Sequence, residues 1–474
     1  MDINKHFYLS IMAGFMVIGA STGIQAAGFA IIENSASGMG NAFAGAAAVA
    51  NDASTAWFNP AGLTKIKTPQ LTVAGHLISG SSDFTDKGSS VNPKLTGGSV
   101  VPGSISGRND DGSGLGFIPN AYYVRPLSDQ LSFGFAFNVP FGLETDYKDD
   151  WVGRYHALNS SVTAVNFNPS LGWKINHQLS LGAGISLQYV QANLSKAIDS
   201  TALCLKLAGT NPQLLQACSS GGLGAGNHSK QANDSKVELE SDNLDVGFNL
   251  GLIYSANEAT NLGVAYRSGI SQATSGDAKF TVNPALRPVL DSVNAQLSQV
   301  GAGKQILTNT DIDATVDLPP TLSFSVAHQL NAKLQLLGDV TWTGWSSFEE
   351  LRIKFANGQD DAVTEESWND VMRYSIGANY ELNSKWILRA GLAYDEEAIP
   401  DAHHRTPRIP GNDRTWLSFG TGLNVSSRLH LDFGYAHLFM DDAPADHADE
   451  SGYAFRGVYK SDANIASAQL NWNF

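Results

Sequence analysis

The feature that most constrains this chain is an alternation of side-chain character with period two, recurring from about residue 70 to the last residue. In "LSFGFAFNVPF", Leu131, Phe133, Phe135, Phe137, Val139 and Phe141 fall on one face, and Ser132, Gly134, Ala136 and Asn138 on the other. Successive side chains of a strand point to opposite faces, so one face is apolar and the other small or polar. In "WILRAGLAYD", Trp386, Leu388, Ala390, Leu392 and Tyr394 likewise oppose Ile387, Arg389, Gly391, Ala393 and Asp395. The pattern returns at 179–189, 246–254 and 429–439.

Alternation alone does not separate a soluble sandwich from a membrane barrel. Loop lengths do. Strands are expected at 70–79, 115–125, 130–141, 163–175, 179–194, 237–255, 260–272, 315–329, 333–355, 370–382, 385–396, 413–425, 428–439 and 462–474. The strand at 333–355 is read as one, bulged around "WTGWSSF". Between strands, short turns such as "RPLSD", "NHQ", "SANEA", "NA", "NS" and "SSR" take turns with long loops rich in Gly, Asp and polar residues. Tight turns at one end and long loops at the other belong to outer-membrane barrels. The expected fold is therefore all-β, a 14-stranded antiparallel transmembrane β-barrel over residues 67–474.

The ends of the chain agree with export to an outer membrane. Lys5 and His6, an apolar run over 7–20 and small residues up to Ala26 have the form of a signal peptide at 1–26, cleaved before Ala27. The run is shorter than the roughly 20 residues of a spanning helix, and no later stretch supplies one. At the other end Ala466, Ala468, Leu470, Trp472 and Phe474 alternate to a terminal aromatic. That ending resembles the signal read by the bacterial barrel-assembly machinery. Net charge is −15, with 30 basic against 45 acidic residues, which argues against a nucleic-acid partner. The two cysteines, Cys204 and Cys218, share one loop and are read either as a disulfide or as two free thiols.

Residues 27–66 do not fit the pattern. They are rich in Ala, Gly, Ser and Asn, have no alternating face, and carry no Lys or Arg before Lys65. Such a segment stays disordered unless it is confined, and a barrel of this size has a lumen to confine it. It is expected to be a plug. Within it Asn59-Pro60 fixes a turn, and Trp57 and Phe58 offer apolar surface. Pro119 and Pro140 fall inside expected strands, where a residue without an N–H marks a bulge or a break in the wall.

"AGFAIIENSASGMGNAFAGAAAVANDASTAWFNPAGL", "VPFGLETDY" to "WVGRYHA", "LPPTLSFSVAH", "WTGWSSFEEL" and "IPGNDRTWLSFG" together resemble the FadL family. These are outer-membrane transporters of long-chain fatty acids and other hydrophobic compounds. The resemblance implies an N-terminal hatch with its Asn-Pro-Ala motif at Asn59, Pro60 and Ala61, faced from the wall by Asp370 and Arg414. It also implies passive uptake through a lateral gap beside a kinked third strand, marked by Pro119, Gly134 and Pro140. Expected partners are a hydrophobic ligand, outer-membrane lipids, lipopolysaccharide and the assembly machinery, for a monomer without cofactor.

A carboxylate entering an apolar pocket must be paired or protonated. Arg154 with Tyr155, and Arg352 or Lys354, are the candidates to pair it. Apolar positions at helical spacing in loops 195–236 and 273–314 predict short helices that form a capture groove or pack on one another. Aromatic or other xenobiotic hydrocarbons are the alternative cargo. As an outer-membrane lipid-modifying enzyme the chain lacks a visible nucleophile, since His403-His404 beside Asp401 has no Ser at a fixed offset. Adjacent His residues in a loop also make a weak metal site, and none is expected. An adhesin role for the long loops is the remaining alternative.

Overall fold

A chain whose strands face lipid on one side must satisfy every backbone group within the sheet, and only a closed sheet does so. The computed structural model describes residues 28–91, 103–449 and 452–474, and in them one antiparallel barrel of 14 wall strands closes on itself. The first seven strands are β1 (Gln70–Asp86), β2 (Leu115–Pro126), β3 (Leu131–Asp146), β4 (Asn159–Lys174), β5 (Leu179–Asp199), β6 (Asp234–Asn257) and β7 (Thr260–Arg267, continued by Ile270–Thr281). Then come β8 (Thr310–Leu318 and Thr321–Gln329), β9 (Leu334–Thr343 and Glu350–Phe355) and β10 (Ala362–Glu365 and Val371–Glu381). The wall ends with β11 (Trp386–Asp395), β12 (Arg414–Asn424), β13 (Leu429–Met440 and Ala443–Ala448) and β14 (Tyr453–Asn473). Closure is the pairing of β1 with β14, from Gln70↔Asn473 to Asp86↔Gly457. The expected signal peptide at 1–26 lies outside the described residues.

Every expected strand is present, and several run further into the long loops. β5 and β6 stay paired out to Asp199↔Asp234. These extensions escaped the sequence reading because both faces meet water beyond the bilayer, where hydrophobic alternation fades. β9 is interrupted by a 3-10 turn at Trp345–Ser347.

The apolar face of the alternation points to lipid: Ile185, Phe248, Ile376, Phe419 and Phe433 are all exposed. The small face is a mould. Gly172, Gly182 and Gly251 are register partners across β4, β5 and β6. A Cβ on Gly182 would lie 2.3 Å from the Ala61 nitrogen, and one on Gly251 would lie 2.0 Å from Asn59 Oδ1. On the far wall a Cβ on Gly391 would lie 2.2 Å from Asn41, one on Gly420 2.6 Å from Gly40, and one on Gly434 2.8 Å from Ala36. These wall glycines serve one purpose, the close approach of a backbone inside the lumen.

That backbone belongs to residues 28–66. It runs through short helical turns at Ala36–Met39, Ala46–Val49 and Thr55–Phe58 into a 3-10 turn at Pro60–Lys65. Its polar groups are satisfied by the wall. The Ala36 N–H donates to Gln469 Oε1 at 2.9 Å, the Ala47 N–H to Ser325 Oγ at 3.0 Å, and Asn41 Nδ2 to Asn379 Oδ1 at 3.1 Å.

Above the lumen, α1 (Ser200–Ala208), α2 (Pro212–Ser220) and α3 (Arg287–Gln299) pack on one another around Leu223, Leu286, Val289 and Leu290. A disulfide between Cys204 and Cys218 joins α1 to α2.

Candidate functional site

The wall is incomplete at β3. β2 and β3 pair only from Ala121↔Phe137 to Pro126↔Ser132, while the outer half of β2 pairs with β1 alone among the described residues. Beyond Asn138, β3 leaves its neighbour, and its register with β4 shifts between Asn138 and Phe141. The expected alternation fails here, since Val139, Pro140, Phe141, Gly142 and Leu143 are all buried. Pro140 has no N–H to donate to a ladder and forces the departure. Pro119 sits on the rim of this break, paired with Gly75 of β1. Gly134 does not: it is paired on both sides, with Val124 and Ser170, and makes room for Leu63.

The N-terminal segment takes the freed edge. The Ile31 N–H donates to the Pro140 carbonyl at 2.8 Å and the Gly142 N–H to the Phe29 carbonyl at 3.0 Å. Phe29 is held in an aromatic box, 4.9 Å from the Trp345 ring centroid, with Phe348 and Trp368 completing it. Trp345, Phe348 and Trp368 were not identified as site residues from sequence. The available signal was the loss of period two in "WTGWSSF", which puts Trp345 on a turn aimed inward.

Behind the break lies a cavity of about 170 Å³, walled by Ile31, Ile32, Phe43, Trp57, Phe58, Pro140 and Phe141 and edged by Arg267 and Arg373. The Arg267 guanidinium lies 3.3 Å over the Trp57 ring, and its Nη2 donates to the Trp57 carbonyl at 2.8 Å. Phe43 and Phe58, with centroids 5.9 Å apart, also line a second cavity of about 410 Å³. That one is polar, with Asp52, Asn379, Arg389, His430 and Asp432 on its walls. An aromatic pair thus partitions the lumen. Ala42 and Phe43 hold left-handed backbone at φ 55° and 56°, a costly conformation for residues with a Cβ.

Asn59 knots the N-terminal segment to the wall. Its Nδ2 donates to the carbonyls of Ala47 at 2.7 Å, Leu252 at 3.1 Å and Val264 at 3.3 Å, while Oδ1 accepts from the Ala61 N–H at 3.0 Å. Pro60 opens the 3-10 turn, where a missing N–H costs nothing, and Ala61 fits against Gly182.

The charged groups near the N-terminal segment are arranged differently from the expectation. Arg414 is buried and pairs with Asp395 at 3.1 Å. Beside Arg414 and Arg373 sits Glu33, whose carboxyl is pushed up to about 7, chiefly by burial, against the pull of its own backbone N–H and the two arginines. Asp370 is exposed and accepts from the Ser346 N–H at 2.9 Å. Strand parity explains it: Val371 and Arg373 point inward, so position 370 points out.

The four head-group candidates are placed elsewhere. Arg154 is fully buried in the outer loops, paired with Asp234 at 2.7 Å and bonded to the Trp151, Ser106 and Ser229 carbonyls. Tyr155 donates to the same Asp234 at 2.8 Å. Both are consumed in tying the outer loops to one another. Arg352 pairs with Glu350 at 2.6 Å and Asp361 at 3.2 Å, and Lys354 is exposed opposite Asp313. It is Ile353 between them that turns inward. His403 bonds to the Asp446 carbonyl at 2.8 Å across to another segment, and His404 to Asp401 at 2.9 Å within its own loop.

A family described as outer membrane protein transport protein (OMPP1/FadL/TodX) matches residues 17–474. Outer membrane protein P1 of Haemophilus influenzae is 31% identical over 449 residues, covering 92% of this chain and 90% of that protein. The long-chain fatty acid transport protein of Escherichia coli O6:H1 is 27% identical over 420 residues, 88% of each chain. The crystal structure of a Pseudomonas aeruginosa FadL homologue matches with a TM-score of 0.80 at 24% identity, over 94% of this chain and 100% of that one. The Pseudomonas putida toluene transporter TodX matches at 0.61 and 17%, over 89% and 94%.

Proposed function

The chain belongs to the outer-membrane transport protein family OMPP1/FadL/TodX and is a transporter of hydrophobic compounds, and we propose that its cargo is long-chain fatty acids released sideways between β2 and β3. In this reading residues 27–66 are a hatch that governs the release. The observation that carries it is the break beside Pro140, closed from inside by Phe29 to Ile31 with an apolar cavity directly behind. A lateral exit spares an alkyl chain the polar compartment below Phe43 and Phe58. The similarity to a long-chain fatty acid transport protein supports the choice of cargo.

Deleting Pro140 alone removes the one extra residue of the bulge, puts Val139 opposite Val165 and lets β3 run on into the ladder with Phe141 still opposite Ala164. Cells that depend on this protein should then lose oleate uptake while the barrel still assembles. Uptake at the parental rate would refute lateral release.

A second reading has one observation in its favour. The cavity of about 170 Å³ is close in size to the roughly 150 Å³ that holds a benzene molecule. A monoaromatic hydrocarbon would fit it whole, and the toluene transporter TodX has this fold. Parallel uptake of labelled oleate and toluene separates the two.

A further inference from the structure

The end of the barrel that carries the short turns faces the periplasm, and it is basic although the chain as a whole is acidic. Residues 65–70, 125–131, 174–179, 256–260, 330–334, 381–386 and 425–429 hold seven Lys or Arg against three Asp or Glu, in a chain of net charge −15. Three of these turns are built alike. Asn331 Oδ1 accepts from the Lys333 and Leu334 N–H groups at 2.9 and 3.1 Å, and Asn383 Oδ1 from those of Lys385 and Trp386 at 2.9 and 3.0 Å. Ser426 Oγ accepts from Arg428 and Leu429 at 3.2 and 3.1 Å. One cation therefore stands at the same place in each turn. The turns are also successive along the rim, because the carbonyls of Lys333, Lys385 and Arg428 accept from the N–H groups of Glu381, Asn424 and Asn473, each at 2.8 Å.

All three cations are exposed. Among the described residues none of them pairs with a carboxylate, whereas at the far end of the barrel Lys148, Lys236, Lys304, Arg352 and Arg456 do so at 2.6–2.9 Å. The acid on these three turns, Glu381, lines the polar cavity of the lumen instead. Depth in the membrane is set by the neighbours of the cations. Leu330, Leu382 and Val425 are exposed and continue, by strand parity, the lipid-facing rows of Val326, Tyr380 and Phe419. Trp386 is exposed beside Lys385. An apex of three residues, out and back, rises about 5 Å, comparable with one headgroup layer.

The anions of that layer are lipid phosphates. We propose that Lys333, Lys385 and Arg428 form a docking arc for anionic phospholipid of the inner leaflet, each cation meeting the phosphodiester of one lipid. Successive turns lie two strands apart, about 10 Å, so each cation serves its own headgroup. Their long stems lie along apolar surface while the charge reaches outward. A zwitterionic lipid offers the same phosphate but brings its own ammonium, so the arc favours a headgroup of net negative charge. A soluble acidic partner fits less well, because it must lie flat on the bilayer to touch turns this short. The arc holds whichever hydrophobic cargo the barrel carries.

The test is native mass spectrometry of the delipidated full-length protein, titrated with dioleoylphosphatidylglycerol or with dioleoylphosphatidylcholine. The parent should prefer the anionic lipid by about fivefold for each cation engaged. Lys333→Gln, Lys385→Gln and Arg428→Gln together should remove most of that preference, while Lys333→Arg with Lys385→Arg should keep it. Lys148→Gln, Lys236→Gln and Lys304→Gln together take the same charge from the far end, where each lysine is already paired, and should leave the preference within about twofold. Heat-modifiable migration confirms that each barrel is intact. A parent without preference, a preference unchanged in the turn variant, or one reduced equally in the far-end variant overturns the arc. So does binding of polyglutamate by the parent that is lost in the turn variant without any preference for the anionic lipid, since the partner is then a soluble polyanion.

Discussion

Ile31 donates its amide hydrogen to the carbonyl of Pro140 at 2.8 Å, so the N-terminal segment completes a ladder that the wall leaves open. With Gly142 bonded to Phe29 at 3.0 Å, Ala30 and Phe141 become a non-hydrogen-bonded antiparallel pair. Such pairs bring Cα atoms to about 4.5 Å, within reach of a disulfide. Ala30→Cys combined with Phe141→Cys should therefore crosslink on oxidation, stop oleate uptake, and recover it on reduction. Single-cysteine variants control for the native Cys204–Cys218 bond. Import by the oxidised double variant at the reduced rate would make this segment a static filler.

Asn59 links three backbone segments at once, two of them in the wall. Asn59→Ala removes those contacts, and each buried backbone group left without a partner costs about 1–3 kcal/mol. The strands and Phe474 are untouched. We expect assembled barrel with a loosened hatch, seen as faster protease cleavage within residues 27–66 and reduced uptake. Adding Pro60→Ala should deepen both effects. Protection equal to the parent would show that the wall glycines alone hold the plug.

The barrel was legible because hydrophobic alternation and loop length report directly on lipid and water. The N-terminal segment stood out as the one stretch with no such pattern. The charge partners were not, because one residue of strand parity decides whether a side chain enters the lumen. Asp370 and Asp395 are equally acidic in sequence, but only Asp395 falls in step with the inward positions of its strand. Arg154 misled for another reason: its partner Asp234 lies eighty residues away, a distance only the folded loops close.

Glycine at 251 is a packing requirement rather than a turn. In an uncrowded strand, alanine in place of glycine gains roughly 0.5–1 kcal/mol. Here the added Cβ would lie 2.0 Å from Asn59 Oδ1, so Gly251→Ala should instead dislodge the hatch. Liposomes carrying the variant should admit small sugars that the parent excludes. Asn59→Ala removes the colliding oxygen, so the double variant should lose less than the sum of the singles. Strict additivity would count against the contact.

Glu33 is expected to make the hold on the N-terminal segment depend on pH. Burial lifts its folded pKa from 4.5 to about 7. Between those values the folded state binds more protons than the released one, so the hatch is held less firmly as pH rises. The Glu33 contribution is complete below about pH 4.5, declines toward pH 7, and changes no further above it. Hydrogen exchange of amides at Ile32 to Met39 should accordingly show protection falling across that window, after correction for the intrinsic rate. Glu33→Gln stays neutral throughout and should flatten the profile near its acidic limit. Arg373→Met provides the opposite control, because a guanidinium that now favours the carboxylate is gone and the fall should move to higher pH. A parent profile without slope, or one unchanged in Glu33→Gln, would place the titrating group elsewhere in the lumen.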